Sequence, residues 1–269
     1  MDMQRLHKYL SYEWASIYAD FLSKAEYNNG YFEAIGYSYK FSPATSMIMS
    51  YDSSIFDLRK AAAMYFWYKK ADPTDYSIVE YFMEYAHCVD DVHRLFNSNY
   101  GIYAYRERGL ERCINVLKKD KTSRQATLCI NNNDAMGPDS IDKLCTNTLQ
   151  FFIRDNKLQM IIQMRSSNFI TLLPYDAFMF SVFYFQVYYA LCRYYSDLQF
   201  GHITMQVATL HAYEKDVYNI KKTEWLKWKS IGYNDHNWQL NLEREMLNAL
   251  IKNNHDSRRI HEETQREDS

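Results

Sequence analysis

Cys145 stands at the head of a strand-like run, LCTNTLQFFIRDNKL, where a thiol could serve as a nucleophile. A reactive thiol needs nearby cations to stabilise its thiolate. Arg124 in SRQAT and Arg165 in MRSSN flank this run, each at the edge of an expected strand from which a side chain can reach a shared pocket. Paired arginine forks match the oxygens of a phosphate monoester. Asp176 in LLPYDAF and the pair His211 and Tyr213 in LHAYEKD add a carboxyl, an imidazole and a phenol. Each has a plainer reading alone: a core cysteine, surface ion pairs, and an Asp that caps or begins a helix. Together they point to a thiol nucleophile beside an anion site more than any one of them does, and spacing alone leaves the plainer readings open.

The elements that must position these groups follow from periodicity and turn signals. Apolar spacing predicts helices over 4–25 and 55–70, and again near 76–87 and over 105–119, with a turn at NSNYG, Asn97 to Gly101. Strands are expected at 31–41, 124–130, 146–153 and 158–164, the last two joined as a hairpin through Arg154-Asp155-Asn156-Lys157. Pro174 opens a long aromatic helix to about Leu198, which fits core or a dimer interface better than a cofactor site. A strand over 201–210 and a helix over 212–221 follow, and Trp225, Trp228 and Trp238 are expected to pack the last helices. Helices interleaved with a mixed sheet make the fold class α/β or α+β, as one domain over 1–252. The polar stretch 253–269 is expected to be a disordered tail.

Several of these segments carry a resemblance to a known family. CTNTLQFFIRDNKLQMIIQMRSSN is similar to the nucleophile strand of the thymidylate synthase superfamily, and CTNT followed by IRD resembles its phage deoxycytidylate hydroxymethylase branch most closely. SRQAT resembles the segment that donates a phosphate-binding arginine across the dimer interface. LLPYDAF is similar to the pyrimidine-reading loop, LHAYEKD to the His-x-Tyr sugar motif and NSNYGIYAY to the segment with the active-site tyrosine. These motifs run in family order from about 31 to 221.

The resemblance implies a homodimer with shared sites, acting on a pyrimidine nucleoside monophosphate, dCMP or CMP. Cys145 would add to carbon 6 of the base and make carbon 5 nucleophilic toward a one-carbon unit borne by 5,10-methylene-tetrahydrofolate. Arg124, Arg165 and Ser166 would hold the phosphate, His211 and Tyr213 the sugar, and Tyr100 would join the proton-transfer network. Asn168 would stand where the family's Asp contacts the folate, near the base. Asp176 would choose the base: the synthases have Asn there for uracil. A carboxyl can accept from cytosine's amino group and, when protonated, donate to its ring nitrogen.

Departures from the pattern gather on the folate side. The family's proton-moving Glu falls on Met64 in MYFWYKK, RSxD reads RSSN, and the Gly that lets the loop approach the cofactor is Leu172. On the phosphate side, the second arginine of SRR is Gln125 and the amino-terminal arginine has no equivalent in AEYNNGYF. Two readings follow. One is a divergent hydroxymethyl- or methyltransferase that moves protons through other residues, with Glu80, Glu84, His87 and Asp91 near in sequence. The other is a nucleotide-binding relative with altered or lost one-carbon chemistry, such as a pseudoenzyme or partner subunit.

Whole-chain composition narrows the classes further. At 269 residues and 47% hydrophobic the chain can bury one sizeable core. A formal net charge of −2 provides no basic field for polymeric nucleic acid. No apolar run is long enough to span a membrane, and the amino terminus lacks a signal-peptide pattern. Five scattered cysteines argue against a disulfide framework or zinc site and point to a reducing cytoplasm. No glycine-rich phosphate loop occurs.

Overall fold

A computed structural model describes residues 3–43, 48–49, 56–88, 96–131, 141–219, 229–230 and 237–251. Helix α1 (Met3–Lys24) leads into the hairpin β1 (Glu26–Asn28) and β2 (Tyr31–Phe41). A short strand β3 (Ile48–Met49) precedes α2 (Leu58–Lys70). Asp57 caps α2 by accepting from the Arg59 N–H at 2.8 Å. Two 3₁₀ turns, Ser77–Glu80 and Met83–Cys88, occupy the region expected to form a second helix. A π-helical turn, Ile102–Arg106, then precedes α3 (Gly109–Lys119). Strand β4 (Thr127–Cys129) is followed by the hairpin β5 (Thr146–Arg154) and β6 (Lys157–Asn168). The chain then runs through α4 (Leu173–Cys192), β7 (Gln199–Tyr213), α5 (Glu214–Asn219), β8 (Lys229–Ser230) and a helix α6 over 238–251.

The main sheet has six strands in the order β1-β2-β7-β6-β5-β4, with β3 and β8 forming a separate pair. Every neighbouring pair in the main sheet is antiparallel except β6 and β7. Two-residue turns set the registers of the hairpins. Asp155 and Asn156 both take positive φ (50° and 57°) between the paired Arg154 and Lys157, as the expected loop requires. Asn29 and Gly30 do the same (44° and 95°) between Asn28 and Tyr31. That Asn-Gly signal is present in AEYNNGYF, and the sequence reading began its strand only at 31.

The parallel pair forces a crossover, which α4 supplies. This helix is apolar all round, and Phe178, Phe180, Val182, Phe183, Tyr184, Phe185 and Val187 have no exposed surface. The aromatic stretch is therefore core within one chain, packed against α2 and α3. Trp238 of α6 stacks on Tyr189 at 5.6 Å, as the carboxy-terminal packing expected of it. Trp225, Trp228 and the tail from 253 lie outside the described residues. On the same buried face of the sheet, α1 lays Trp14, Ile17 and Phe21 over β2, with Phe21 stacked on Phe169 at 5.2 Å.

Three boundaries differ from the expectation for identifiable reasons. Helix α4 stops at Cys192 instead of Leu198, because Gln199 must already pair with Lys157 at the start of β6. Strand β7 runs on to Tyr213, since its ladder to β2 extends to the pair Tyr31 and Tyr213 and overrides the helical look of HAYEKD. In SRQATLCI only Thr127–Cys129 pairs, opposite Thr148–Gln150 at the edge of the sheet. Among the described residues no helix is long and apolar enough to cross a membrane.

One close approach sets up the site. A Cβ on Gly101 would run into the backbone carbonyl of Tyr68 on α2, so the turn carrying Tyr100 can lie against α2 only with Gly at 101. Gly101→Ala is expected to lose about 1–3 kcal/mol of stability by overpacking. Urea unfolding measures this, and an unchanged midpoint would show that the turn can lift away from α2.

Candidate active site

A cavity of about 560 Å³ opens where the carboxyl ends of β6 and β7 meet the first turn of α4. Of the residues singled out in the sequence, Cys145, Tyr100, Ser166, Asn168, Asp176, His211 and Tyr213 line it. They come from separate elements, and backbone pairing holds them together. Cys145 sits just before β5, where its carbonyl accepts from the Arg165 N–H at 2.8 Å. The Thr146 N–H donates to the Tyr100 hydroxyl at 3.3 Å, which pins that ring beside the nucleophile position. Tyr100 also stacks on Phe180 of α4 at 6.1 Å.

The β6 end supplies the polar wall. Asn168 accepts at Oδ1 from the Ile170 and Thr171 N–H groups at 2.9 and 3.0 Å, so its side chain shapes the loop leading into α4. Asn168 also pairs in register with His211. His211 and Tyr213 share one face of β7, with rings 5.6 Å apart. Burial lowers the His211 pKa against the pull of Glu33 across the strand pair, which favours a neutral imidazole able to donate and accept. Ser167, which the sequence reading passed over, also lines the cavity; its hydroxyl is buried with no protein partner among the described residues. A buried hydroxyl of this kind is completed by a ligand or by water.

The two arginines do not converge in one chain. Arg165 donates from Nε to the Leu144 carbonyl at 2.7 Å and from its terminal nitrogen to the Lys143 carbonyl at 2.9 Å. It thereby clamps the loop before Cys145, and its charge draws the thiol pKa down. Arg124 lines a separate concavity of about 620 Å³, together with Asp120 and Arg154. The expectation that both reach one pocket is not met within a single chain.

Burial dominates the electrostatics. The Cys145 thiol is pushed above its ordinary pKa by burial, with Arg165 opposing and the charges of Asp176 and Asp142 adding to the rise. Burial raises the Asp176 carboxyl from 3.8 to about 7. Asp176 exposes part of its surface to the cavity, so at neutral pH it can hold a proton and present it there.

The folate-side departures have structural counterparts. Met64 is 2% exposed, packed in the core and not part of the cavity wall. Lys60, one turn earlier on α2, does line the cavity and lies 5.0 Å over the Phe82 ring. Leu172 and Ile170 join Phe82 and Tyr85 in an apolar wall. Glu80 is exposed and does not line the cavity, while the side chains of Glu84 and His87, and all of Asp91, lie outside the described residues. The sequence reading also missed Asp142, Ser98, Lys143 and Asp216 in the wall. Asp142 lies only three residues before Cys145, and that proximity was the available signal.

A mixed sheet flanked by helices, with a cysteine just before β5 and a carboxyl at the start of the crossover helix, is consistent with a thymidylate synthase-like fold. No family model matches the chain. It is 29% identical over 154 residues to the deoxycytidylate 5-hydroxymethyltransferase of Enterobacteria phage T4, covering 50% of this chain and 56% of that one. It is 30% identical over 142 residues to the phage T2 protein of that name, covering 45% and 53%. The phage T6 protein matches at 29% over 154 residues. The chain thus spans about half the length of the curated relatives it matches. It is a distant relative of the phage deoxycytidylate hydroxymethyltransferase branch of the thymidylate synthase family.

The raised Asp176 pKa has a consequence for stability. Between pH 3.8 and about 7 the folded chain holds a proton that the unfolded chain releases, so this group's contribution falls as pH rises through that window. Asp176→Asn removes the loss. Its melting temperature relative to wild type should climb between about pH 4 and about pH 8. Parallel melting curves would mean that Asp176 titrates normally.

Proposed function

We propose that the cavity binds a cytosine nucleoside monophosphate, dCMP or CMP, and that the protein is a pyrimidine C5 hydroxymethyl- or methyltransferase working through a Cys145 adduct. The observation that carries this is the Asp176 carboxyl, held near neutral pKa in the wall of the cavity onto which Cys145 opens. A protonated carboxyl donates to the unprotonated ring nitrogen of cytosine and accepts from its amino group, whereas uracil offers a ring N–H and a carbonyl. The relatives named as acting on deoxycytidylate support the same base.

The roles of the remaining residues follow from placement. Ser166 and the unpartnered Ser167 hydroxyl sit where a phosphate or sugar oxygen would find donors, and the neutral His211 with Tyr213 suits a sugar hydroxyl. Tyr100 is positioned beside Cys145 to relay protons. Arg165 stabilises the thiolate and, released from its carbonyl partners, would reach an anion. The apolar wall of Phe82, Tyr85, Ile170 and Leu172 fits a flat ring stacked beside the nucleotide, so methylene-tetrahydrofolate is the proposed cofactor. When bound it supplies the carbon that joins carbon 5. The polar groups that the family uses on that side are absent, because Met64 is buried and Asn168 is engaged in the loop. That observation favours a second reading, in which the nucleotide binds and one-carbon transfer is altered or lost.

We also propose a homodimer with composite sites. Support comes from Arg124, which lies outside the Cys145 cavity of its own chain, and from a sheet face whose residues Ile35 and Gln206 are exposed. In that assembly Arg124 completes the neighbour's phosphate site.

Two measurements test these readings. Calorimetry should show CMP or dCMP binding tighter than UMP or dUMP by about 1–3 kcal/mol, the size of two matched against mismatched hydrogen bonds. Asp176→Asn should narrow or reverse the gap, and equal wild-type affinities would remove Asp176 as the discriminator. Separately, Cys145→Ala and Arg124→Ala subunits, each inactive alone, should regain activity on mixing, because hybrid dimers contain one intact composite site. Lack of recovery with a demonstrated dimer would place Arg124 outside the site.

A further inference from the structure

The mechanism proposed above needs a group that gives and takes protons at carbon 5, and Met64 has no exchangeable proton. A second carboxyl nevertheless lines the same cavity. Asp142 is 5% exposed, lies three residues before Cys145, and accepts at Oδ2 from both the N–H and the hydroxyl of Ser98 at 2.8 Å. Ser98 in turn lies two residues before Tyr100, so the same turn positions the carboxyl and the active-site phenol. Its charge acts on the thiols of Cys145 and Cys88 and on the Tyr85 phenol, all three of which share the cavity wall. The plainer reading is a loop anchor, and the Asn97 amide donating to the Asp142 carbonyl at 3.2 Å fits that role. An anchor, however, is best served by a carboxylate whose bonds hold it ionised. Here burial outweighs the Ser98 and Asn97 bonds and raises the pKa, as suits a group that must carry a proton part of the time.

We propose that Asp142 is the proton-transfer carboxylate of this site, taking over from the loop before Cys145 the work that the family assigns to a glutamate on the helix corresponding to α2. The inference rests on the cytidylate reading. The step balances without folate. The Cys145 thiolate forms a bond to carbon 6, and the C5–C6 π pair takes the proton of the Asp142 carboxylic acid, giving a C5–H bond and a carboxylate. In the reverse direction the other C5 hydrogen, on the opposite face of the ring, passes to water, the double bond re-forms, the thiolate departs, and the Asp142 carboxylate regains its proton from solvent. The net result is exchange of the C5 hydrogen with water, and no oxidant or reductant is consumed.

The test is release of tritium from 5-tritiated dCMP into water without folate, together with dCMP binding by calorimetry and Cys145 alkylation by iodoacetamide. In Asp142→Asn, which keeps an oxygen to accept from Ser98, exchange should fall about 100-fold or more. Binding should stay within about three-fold. Alkylation should be as fast or faster, because a negative charge near the thiol has gone. Wild-type exchange in this variant overturns the assignment to Asp142 alone. If wild type binds no dCMP, the cytidylate reading falls and takes this inference with it; if it binds dCMP and releases no tritium, this inference falls and binding without transfer stands. If Asp142→Asn does not fold, Asp142→Glu is compared with Asp142→Gln at equal side-chain length. Exchange only in the Glu variant supports the carboxylate role, and equal behaviour of the two overturns it.

Discussion

The parallel pairing of β6 with β7 is the constraint on which the site depends. Two parallel neighbours cannot be joined by a hairpin, so the chain must cross over, and here the crossover runs through the interior as α4. A helix in that position is surrounded by protein, which accounts for a sequence between Ala177 and Leu191 that is aromatic or aliphatic but for Met179, Ser181 and Gln186. The same geometry brings the carboxyl ends of both strands and the amino end of the helix to one place. Open α/β sheets bind ligands at the carboxyl ends of their parallel strands. Ser166 and Asn168 arrive on β6, His211 and Tyr213 on β7, and Asp176 on the first turn of α4, all lining one cavity.

Around that cavity, burial works against ionisation. The thiol of Cys145 and the carboxyls of Asp142 and Asp176 are all raised, and each carboxylate would make the thiolate harder to form. Arg165 opposes this from behind, bonded to the carbonyls of Lys143 and Leu144. The resting site therefore favours protonated groups. A ligand changes the balance in a defined direction: a base that accepts a hydrogen bond from the protonated Asp176 carboxyl keeps it neutral, and a neutral Asp176 removes one of the charges that hold the thiol up. Base recognition and nucleophile activation are thereby coupled through one titrating group.

Much of this was legible in the sequence, for reasons that differ by element. β2 was read with its observed boundaries because it alternates and ends at clear turns, and the β5–β6 loop because Asp155 and Asn156 tolerate positive φ. The run into β7 misled, since HAYEKD looks helical in isolation and only pairing with β2 keeps it extended to Tyr213. Seven of the nine site residues converge because each sat in a motif tied to an element end. Arg124 and Arg165 do not join them: a side chain near the nucleophile in sequence can turn to backbone carbonyls, and one on edge strand territory can face another surface. Asp142 had only its nearness to Cys145 in the sequence to mark it. It belongs to no periodic segment, and only the fold shows that Ser98 holds it in the cavity wall.

Met64 stands where the family resemblance expects a glutamate on α2, and a methionine there suits a different task for that helix. Met64 lies between Ala62 and Tyr65 on the buried side, where a thioether packs without desolvation cost and a carboxylate would need partners. Lys60, a turn away, now faces the cavity from the same helix. An anionic group kept on α2 beside Lys60 would be drawn into an ion pair and lose basicity. A carboxyl on the loop before Cys145 meets hydroxyl and amide donors from Ser98 instead, which leave its pKa raised. The proposed proton carrier on the loop rather than the helix is thus compatible with a cation in the wall, and that cation in turn suits an anionic ligand. The substitutions that look like losses when α2 is read alone form a consistent set once Asp142, which lines the same cavity as Lys60, is considered with them.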